Sequence, residues 1–317
     1  MVHFRKFRNQ DAPGITEVWN EAFTGRGAPR LRHSSLLENY VFSKSYFDPR
    51  GLIIAVDDNK LVGFVHTGFG PSGDGAKLDP ANGFVSLLAV KPEYQRRGIG
   101  SGLLLEAEKF LSGAGAKVLH GGGCWPMAPF YFGIYGGANF SGLLRSDSAS
   151  HPFLLKHAYV AGKNRSVWQR NLTEPLVIVD GRFAALRKRC EVRIKPRTGI
   201  STWFEECVLG SVELFEFVLE ERVTQKPLAC ITVWEMDGIG YKWQMPAIGI
   251  VDMTVDPSLR KAAMGKFLLY QMLRYLQEQF FGTAEVHIDS TNAIALDMVK
   301  KFGFALVDEA IAYSKPM

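Results

Sequence analysis

Two arginines and two glycines stand close together directly after an apolar run in the first half of the chain. Arg96 and Arg97 come just before Gly98, and Gly100 follows after a single isoleucine. Glycine lets the backbone turn tightly and bring its N–H groups close to a ligand, and arginine supplies positive charge. The residue types and their spacing therefore predict a binding site for a pyrophosphate or a similar group with several anionic oxygens.

The surrounding residues predict a strand before this loop and a helix after it. Residues 85–90 are mostly apolar and stop just before Pro92, and helix-period apolar residues follow from about Gly100. A helix that begins here adds unpaired backbone N–H groups and the positive end of its dipole. Two other phosphate loops are excluded by spacing, because no lysine follows Gly100 as a Walker loop requires and Leu103 replaces the third glycine of a dinucleotide loop.

The run Leu-Leu-Ala-Val-Lys-Pro followed by Gln-Arg-Arg-Gly-Ile-Gly closely resembles the acyl-CoA loop Q/R-x-x-G-x-G/A of the GNAT superfamily of N-acyltransferases. The resemblance covers essentially the whole chain and implies an α/β fold with a mixed central sheet. It also implies that Leu88, Ala89 and Val90 lie on a bulged strand and pair with the pantetheine arm of acetyl-CoA. The same resemblance implies that the pyrophosphate is held by a run of loop residues: Gln95, Arg96, Arg97, Gly98, Ile99, Gly100 and Ser101.

The implied reaction needs proton transfer, because an amine attacks acetyl-CoA directly and an acid protonates the leaving thiolate. Leu154 stands where the family often has its tyrosine acid, and Ser86 stands where many relatives have a glutamate base. Tyr131 and Tyr135 lie in the aromatic stretch between the loop and the helix that carries Leu154. We predict these two tyrosines as the acid, with Tyr131 preferred. Lining of the acceptor pocket is the alternative role for both.

The loop occurs a second time in the sequence. Residues 88–100 align with residues 253–265 at a constant offset of 165, and a helical stretch and a short strand follow each copy. In the second copy Ala263 aligns with Gly98, and Val299 occupies the position of the tyrosine acid. An alanine methyl obstructs the approach of backbone to phosphate, and valine has no proton to give. The second copy is therefore predicted to be degenerate, with a structural or acceptor-shaping role.

These observations predict two tandem GNAT-like domains. The first covers residues 1–172, binds acetyl-CoA and carries the chemistry, and the second covers residues 173–317. Residues 159–172 predict the final strand pair of the first domain.

Composition restricts the class of partner. The chain has 317 residues with a formal net charge of +5, and its basic residues are dispersed rather than clustered. Nucleic-acid binding is therefore not expected, and without an apolar run long enough for a membrane helix or a signal peptide we expect a cytoplasmic protein with no membrane partner. The cysteines and histidines show no metal-ligand spacing, so no metal site is predicted.

Three functions fit the sequence. The preferred one is an acetyl-CoA-dependent N-acetyltransferase that acts on an amine, most simply a small molecule. The alternative from another class is an acyl-CoA-binding sensor or interaction protein without turnover, for which Leu154 and the absent strand glutamate are the support. A nucleic-acid-associated acetyltransferase is disfavoured by the absence of a basic tail. The sequence makes no prediction of the oligomeric state.

Overall fold

Contacts between residues divide the chain into two compact units. The computed structural model describes residues 1–197, 199, 202–259 and 262–317. Unit 1 comprises residues 1–165, 200–211 and 309–317, and unit 2 comprises residues 166–199 and 212–308. These units differ from the predicted division into residues 1–172 and 173–317 in three places. Residues 166–172 lie in unit 2, and the segments 200–211 and 309–317 lie in unit 1. Sequence order alone does not reveal such an exchange of segments.

The strands are described first in chain order. They are β1 (His3–Lys6), β2 (Leu52–Asp57), β3 (Lys60–Pro71), β4 (Leu78–Val90), β5 (Val118–Gly121), β6 (Leu143–Leu144), β7 (Val160–Asn171), β8 (Cys190–Pro196), β9 (Leu214–Glu221), β10 (Pro227–Glu235), β11 (Ala247–Val255), β12 (Thr283–Asp289) and β13 (Ala305–Pro316).

The α-helices follow in the same order, and short 3-10 turns and one π-helical turn at Glu38–Phe42 complete the regular structure. The helices are α1 (Ala12–Ala22), α2 (Ser35–Leu37), α3 (Ile99–Gly113), α4 (Ser150–Lys156), α5 (Phe183–Arg189), α6 (Trp203–Leu209), α7 (Asp237–Trp243), α8 (Met264–Glu278) and α9 (Ala293–Lys301).

The sheet of unit 1 has the strand order β1-β2-β3-β4-β5-β13. The strands β1 to β4 are antiparallel, β4 and β5 are parallel, and the end of β13 runs antiparallel to β5 with Tyr313 opposite Gly121. Residues 159–172 do not form the predicted strand pair, since they contain the single long strand β7. The neighbour that β5 needs comes instead from the end of the chain.

The sheet of unit 2 has the order β12-β11-β10-β9-β8, with β11 and β12 parallel and the other pairs antiparallel. The apolar face of α8 packs into the core of this unit, where Phe267, Leu268 and Met272 are buried. Helix α3 packs into the core of unit 1 in the same way, and its Leu103 and Leu104 are buried there. The predicted α/β fold with a mixed central sheet is confirmed. Within the described ranges, no helix is long and apolar enough to cross a membrane.

Candidate active site

Strand β4 contains a bulge at Ser86. His66 on β3 lies opposite Leu87, but the next residue, Thr67, lies opposite Val85, so Ser86 has no residue across from it. A bulge of this kind bends a strand and increases its local twist. The bend occurs at the point where β4 stops pairing with its other neighbour.

Strands β4 and β5 diverge after a short parallel ladder. Their pairing runs from Asn82 opposite Val118 to Val85 opposite Gly121, and the N–H of Gly122 then donates to the carbonyl of Val85 over 3.0 Å. Strand β4 continues to Val90, and among the described residues no strand pairs with residues 86–90 on the β5 side. The backbone groups of Leu88 and its neighbours on that side are thus available to an extended ligand, as an added strand would use them.

The predicted loop connects this open part of β4 to α3. After the 3-10 turn Pro92–Tyr94, the side-chain amide of Gln95 donates to the carbonyl of Val90 over 3.0 Å. The backbone is left-handed at Arg96, with φ of 61°, and at Gly98, with φ of 84°, and α3 begins at Ile99. The turn therefore directs the unpaired N–H groups of the first helical residues toward the loop.

Space at this loop suits an anionic ligand. A Cβ atom added to Gly98 would meet no atom within 4 Å, and one added to Gly100 would lie 3.4 Å from the ring of Phe153. Arg96 and Arg97 are both exposed, and the guanidinium carbon of Arg97 lies 5.4 Å from the ring centre of Tyr94. Open backbone, a helix N-terminus and two exposed guanidinium groups are the donor set that a pyrophosphate requires. The residues present therefore fit the pyrophosphate of an acyl-CoA.

Tyr131 and Tyr135 are both buried in unit 1, each with a hydrogen-bonded hydroxyl. The hydroxyl of Tyr131 lies 3.0 Å from Nδ1 of His66, and its ring stacks on Trp19 with ring centres 6.0 Å apart. The hydroxyl of Tyr135 donates to Oδ2 of Asp147. Burial raises the pKa of Tyr131 far above its usual value. The hydrogen bond to His66 thus connects Tyr131 to the bulge in β4. The hydroxyl of Tyr135 is instead hydrogen-bonded to a carboxylate.

His66 is the residue of this site that the sequence analysis missed. Its side chain is fully buried, with the rings of Phe130 and Phe47 centred 4.2 Å and 5.6 Å from its own. Among the described residues, neither Nε2 of His66 nor the hydroxyl of Ser86 has a hydrogen-bond partner. A single histidine in an apolar strand gives no spacing signal, so only the bulge brings the two residues together.

Burial lowers the pKa of His66 to about 3, so the imidazole is neutral in the folded protein near pH 7. The unfolded chain binds a proton at this histidine below pH 6.5, and the folded protein does not until much lower pH. The free energy of unfolding that the neutral His66 contributes is therefore lost as the pH falls from 6.5 toward the pKa of His66 in the folded protein. Between pH 7 and pH 5, we expect the wild type to lose about 2 kcal/mol more free energy of unfolding than His66→Gln.

Urea unfolding at the two pH values measures this difference. His3→Gln is the matched control, because His3 is exposed. An equal acid-induced loss in the wild type and His66→Gln would show that His66 takes up a proton in the folded protein.

Unit 2 repeats the strand geometry at the same offset of 165 residues. Strands β11 and β12 stop pairing at Ile250 opposite Val286, and the β10 register skips Val251. Ala263 is left-handed with φ of 62°, and α8 has 15 residues, as α3 has. The alanine therefore adopts the backbone conformation of Gly98 at some cost in strain. Arg260 and Lys261, which align with Gln95 and Arg96, lie outside the described residues.

Both halves of the sequence match one family model, that of the acetyltransferase (GNAT) family, over residues 13–121 and 183–304. The chain belongs to the GNAT family. The two matches, together with the repeated strand geometry, confirm a tandem GNAT protein. GNAT membership supports acyl-CoA-dependent acetyl transfer as the general reaction.

Several solved structures share the fold. A glucosamine N-acetyltransferase region of a fungal multi-domain β-N-acetylglucosaminidase is 17% identical with a TM-score of 0.71, over 99% of this chain and 38% of the other. A tandem GNAT protein from the clavulanic acid biosynthesis pathway is 14% identical with a TM-score of 0.67, over 100% and 98% of the two chains. A GCN5-related N-acetyltransferase from Sphaerobacter thermophilus is 13% identical with a TM-score of 0.63, over 99% and 95%. The chain thus spans well under half the length of the fungal β-N-acetylglucosaminidase. No curated protein matches the sequence.

The structure also locates the positions where the chain departs from the GNAT pattern. Leu154 is buried in α4 and Val299 is buried in α9. Neither of the two positions that the sequence analysis aligned with the tyrosine acid therefore carries a hydroxyl. Ser86 is fully buried at the bulge. Any proton transfer in unit 1 therefore depends on other groups than those of the common family pattern.

Proposed function

We propose that the chain is an acetyl-CoA-dependent N-acetyltransferase that acts on a small-molecule amine through the site in unit 1. The observation that carries the proposal is the combination, in one unit, of the open edge of β4 beyond Val85 and the left-handed Gly98 at the start of α3. An open strand edge suits an extended amide-containing arm, and a helix N-terminus suits a pyrophosphate. Acetyl-CoA has both groups, separated along one molecule.

Each part of the site has a separate task in this proposal. The backbone of Leu88, Ala89 and Val90 binds the pantetheine arm, and the loop from Gln95 to Ser101 binds the pyrophosphate. Bound acetyl-CoA supplies the activated acyl thioester. The bulge at Ser86 then orients the backbone beside the acyl group, and the buried rings around it exclude water.

A non-catalytic acyl-CoA sensor remains the second candidate. Its support is the absence of a conventional acid or base, since Leu154 and Ser86 replace the tyrosine and glutamate of the family pattern. An amine attacks the thioester directly, so the reaction needs no nucleophile from the protein, and groups other than this tyrosine and glutamate can transfer the protons. For that reason we prefer the enzyme.

A panel of amines, monitored for release of the free CoA thiol, distinguishes the two functions. We expect thiol release with at least one class of amine, and release that depends on both the amine and the protein. Stoichiometric binding of acetyl-CoA without thiol release across a broad panel would contradict the enzyme and favour the sensor.

The charge on the loop gives a test of the cofactor site itself. Removal of both guanidinium groups in Arg96→Ala with Arg97→Ala should weaken acetyl-CoA binding about 10- to 100-fold, because charge-assisted hydrogen bonds to phosphate are lost. Calorimetry measures the dissociation constant. The matched control is Arg187→Ala with Lys188→Ala, which removes the same charge from exposed positions of unit 2. Equal weakening in the two double variants would indicate a general charge effect and not a phosphate site.

A further inference from the structure

Two buried polar atoms at the β4 bulge have no partner in the described part of the chain. They are Nε2 of His66 and Oγ of Ser86, and both side chains are 0% exposed. Buried polar groups in folded proteins nearly always have a hydrogen-bond partner, and a partnerless one costs free energy. Two such groups on neighbouring strands at one bulge indicate that a ligand or a water molecule supplies their missing partners.

Tyr131 determines which form of His66 is present. Its hydroxyl lies 3.0 Å from Nδ1 and has no other hydrogen-bond partner among the described residues. If the hydroxyl donates to Nδ1, its own proton is satisfied and the ring proton lies on Nε2. The opposite tautomer leaves the hydroxyl proton without an acceptor and Nε2 without a donor, which are two unsatisfied groups instead of one. The first arrangement is therefore favoured, and Nε2–H is a donor.

The position of this donor relates it to the proposed acyl site. His66 lies opposite Leu87, which is two residues beyond Val85, the last residue of β4 that pairs with β5. The open edge of β4 begins at the same place. His66 lies on β3, the neighbour of β4 on the side away from β5. Along β4, the donor is level with the end of the site where an extended ligand would place its acyl group, and not with the loop at residues 95–101.

We propose that His66, held by Tyr131, donates from Nε2 to the carbonyl oxygen of the acyl thioester, and that the hydroxyl of Ser86 assists at the same oxygen. The inference rests on the proposed function, since it names residues of that same site. His66 then acts as a fixed dipole that favours negative charge on the acyl oxygen. It neither gives up nor takes up a proton in this role.

Nitrogen-15 NMR of the histidine side chains tests the tautomer and the contact without turnover. The signal of His66 is assigned by its loss in His66→Asn. We expect the Nε2–H tautomer in the free protein. We also expect its proton to shift downfield when the non-transferable ketone analogue of acetyl-CoA is added, in which methylene replaces sulfur. CoA itself has no acyl carbonyl and should not cause that shift.

Variants give the second arm of the test. His66→Gln keeps an N–H donor at the ε position and should retain most of kcat. His66→Asn, whose amide does not reach that position, should lower kcat about 100-fold with an unchanged KM for acetyl-CoA. Ser86→Ala should lower kcat by a smaller factor. If His66 were only structural, we would not expect glutamine to preserve kcat while asparagine lowers kcat and leaves KM unchanged.

The proposal is overturned by an Nδ1–H tautomer, by equal shifts with CoA and the ketone analogue, or by full kcat in His66→Asn. Equal shifts would mean that the response at Nε2 does not come from the acyl carbonyl. Failure of the proposed function is distinguishable, because calorimetry would then show no binding of CoA or of the analogue to the wild type.

Discussion

Gly98→Val should weaken acetyl-CoA binding about 100-fold or more, with dissociation measured by calorimetry. The backbone at Gly98 has φ of 84°, where a β-branched residue is strained by about 1–3 kcal/mol. The side chain would also occupy open space, since a Cβ at this position meets no atom within 4 Å. In the proposed site, that space is where a phosphate would approach the first N–H groups of α3. The variant therefore changes both the shape of the loop and the access to its donors.

Ala263→Val is the matched control in unit 2. It introduces the same side chain at a left-handed residue, with φ of 62°, at the start of the equivalent helix. We expect a comparable loss of stability in thermal unfolding and an unchanged dissociation constant and stoichiometry for acetyl-CoA, with one site per chain. A second site that disappears in Ala263→Val would show that unit 2 also binds the cofactor.

The turn between β4 and α3 could be predicted because its backbone geometry depends on local sequence. Glycine at position 98, arginines beside it and a helix start at position 99 are all read within a few residues, and the repeat at an offset of 165 shows the same register twice. The parallel strands stop pairing at equivalent residues of the repeat, Val85 in unit 1 and Ile250 in unit 2. Local chemistry and duplication together determined this part.

Long-range pairing could not be predicted in the same way. The residues of β13 opposite β5 are separated from it by most of the chain, and no local pattern says which unit a terminal strand joins. His66 was missed for a related reason. It is a single histidine between Val65 and Thr67, and its partner Tyr131 is 65 residues away, so neither its burial nor its hydrogen bond leaves a periodic signal.

Tyr131→Phe should lower kcat about 100-fold while the KM for acetyl-CoA stays unchanged, measured by thiol release under conditions where chemistry limits the rate. Phenylalanine keeps the ring that stacks on Trp19, so the change removes only the hydroxyl at 3.0 Å from Nδ1 of His66. Without that donor, the imidazole is free to place its proton on Nδ1. Nε2 then becomes an acceptor, and the donor at the bulge is lost.

Tyr135→Phe is the control within the same aromatic stretch. The hydroxyl of Tyr135 donates to Asp147 and accepts from the N–H of Leu144 over 3.5 Å, so its loss should cost about 1 kcal/mol of stability and leave kcat nearly unchanged. If Tyr135→Phe lowers kcat and Tyr131→Phe does not, the acid assignment belongs to Tyr135 and Tyr131 lines the pocket.

A double-mutant cycle decides how the Tyr131 hydroxyl acts. If it acts through His66, the double variant Tyr131→Phe with His66→Asn should have the same kcat as His66→Asn alone, because both changes remove the one donor at Nε2. If Tyr131 itself protonates the leaving thiolate, the two losses should multiply to about 10⁴-fold. The buried hydroxyl, its raised pKa and its bond to Nδ1 favour the first result. Multiplied losses would make Tyr131 the acid and separate its role from that of His66.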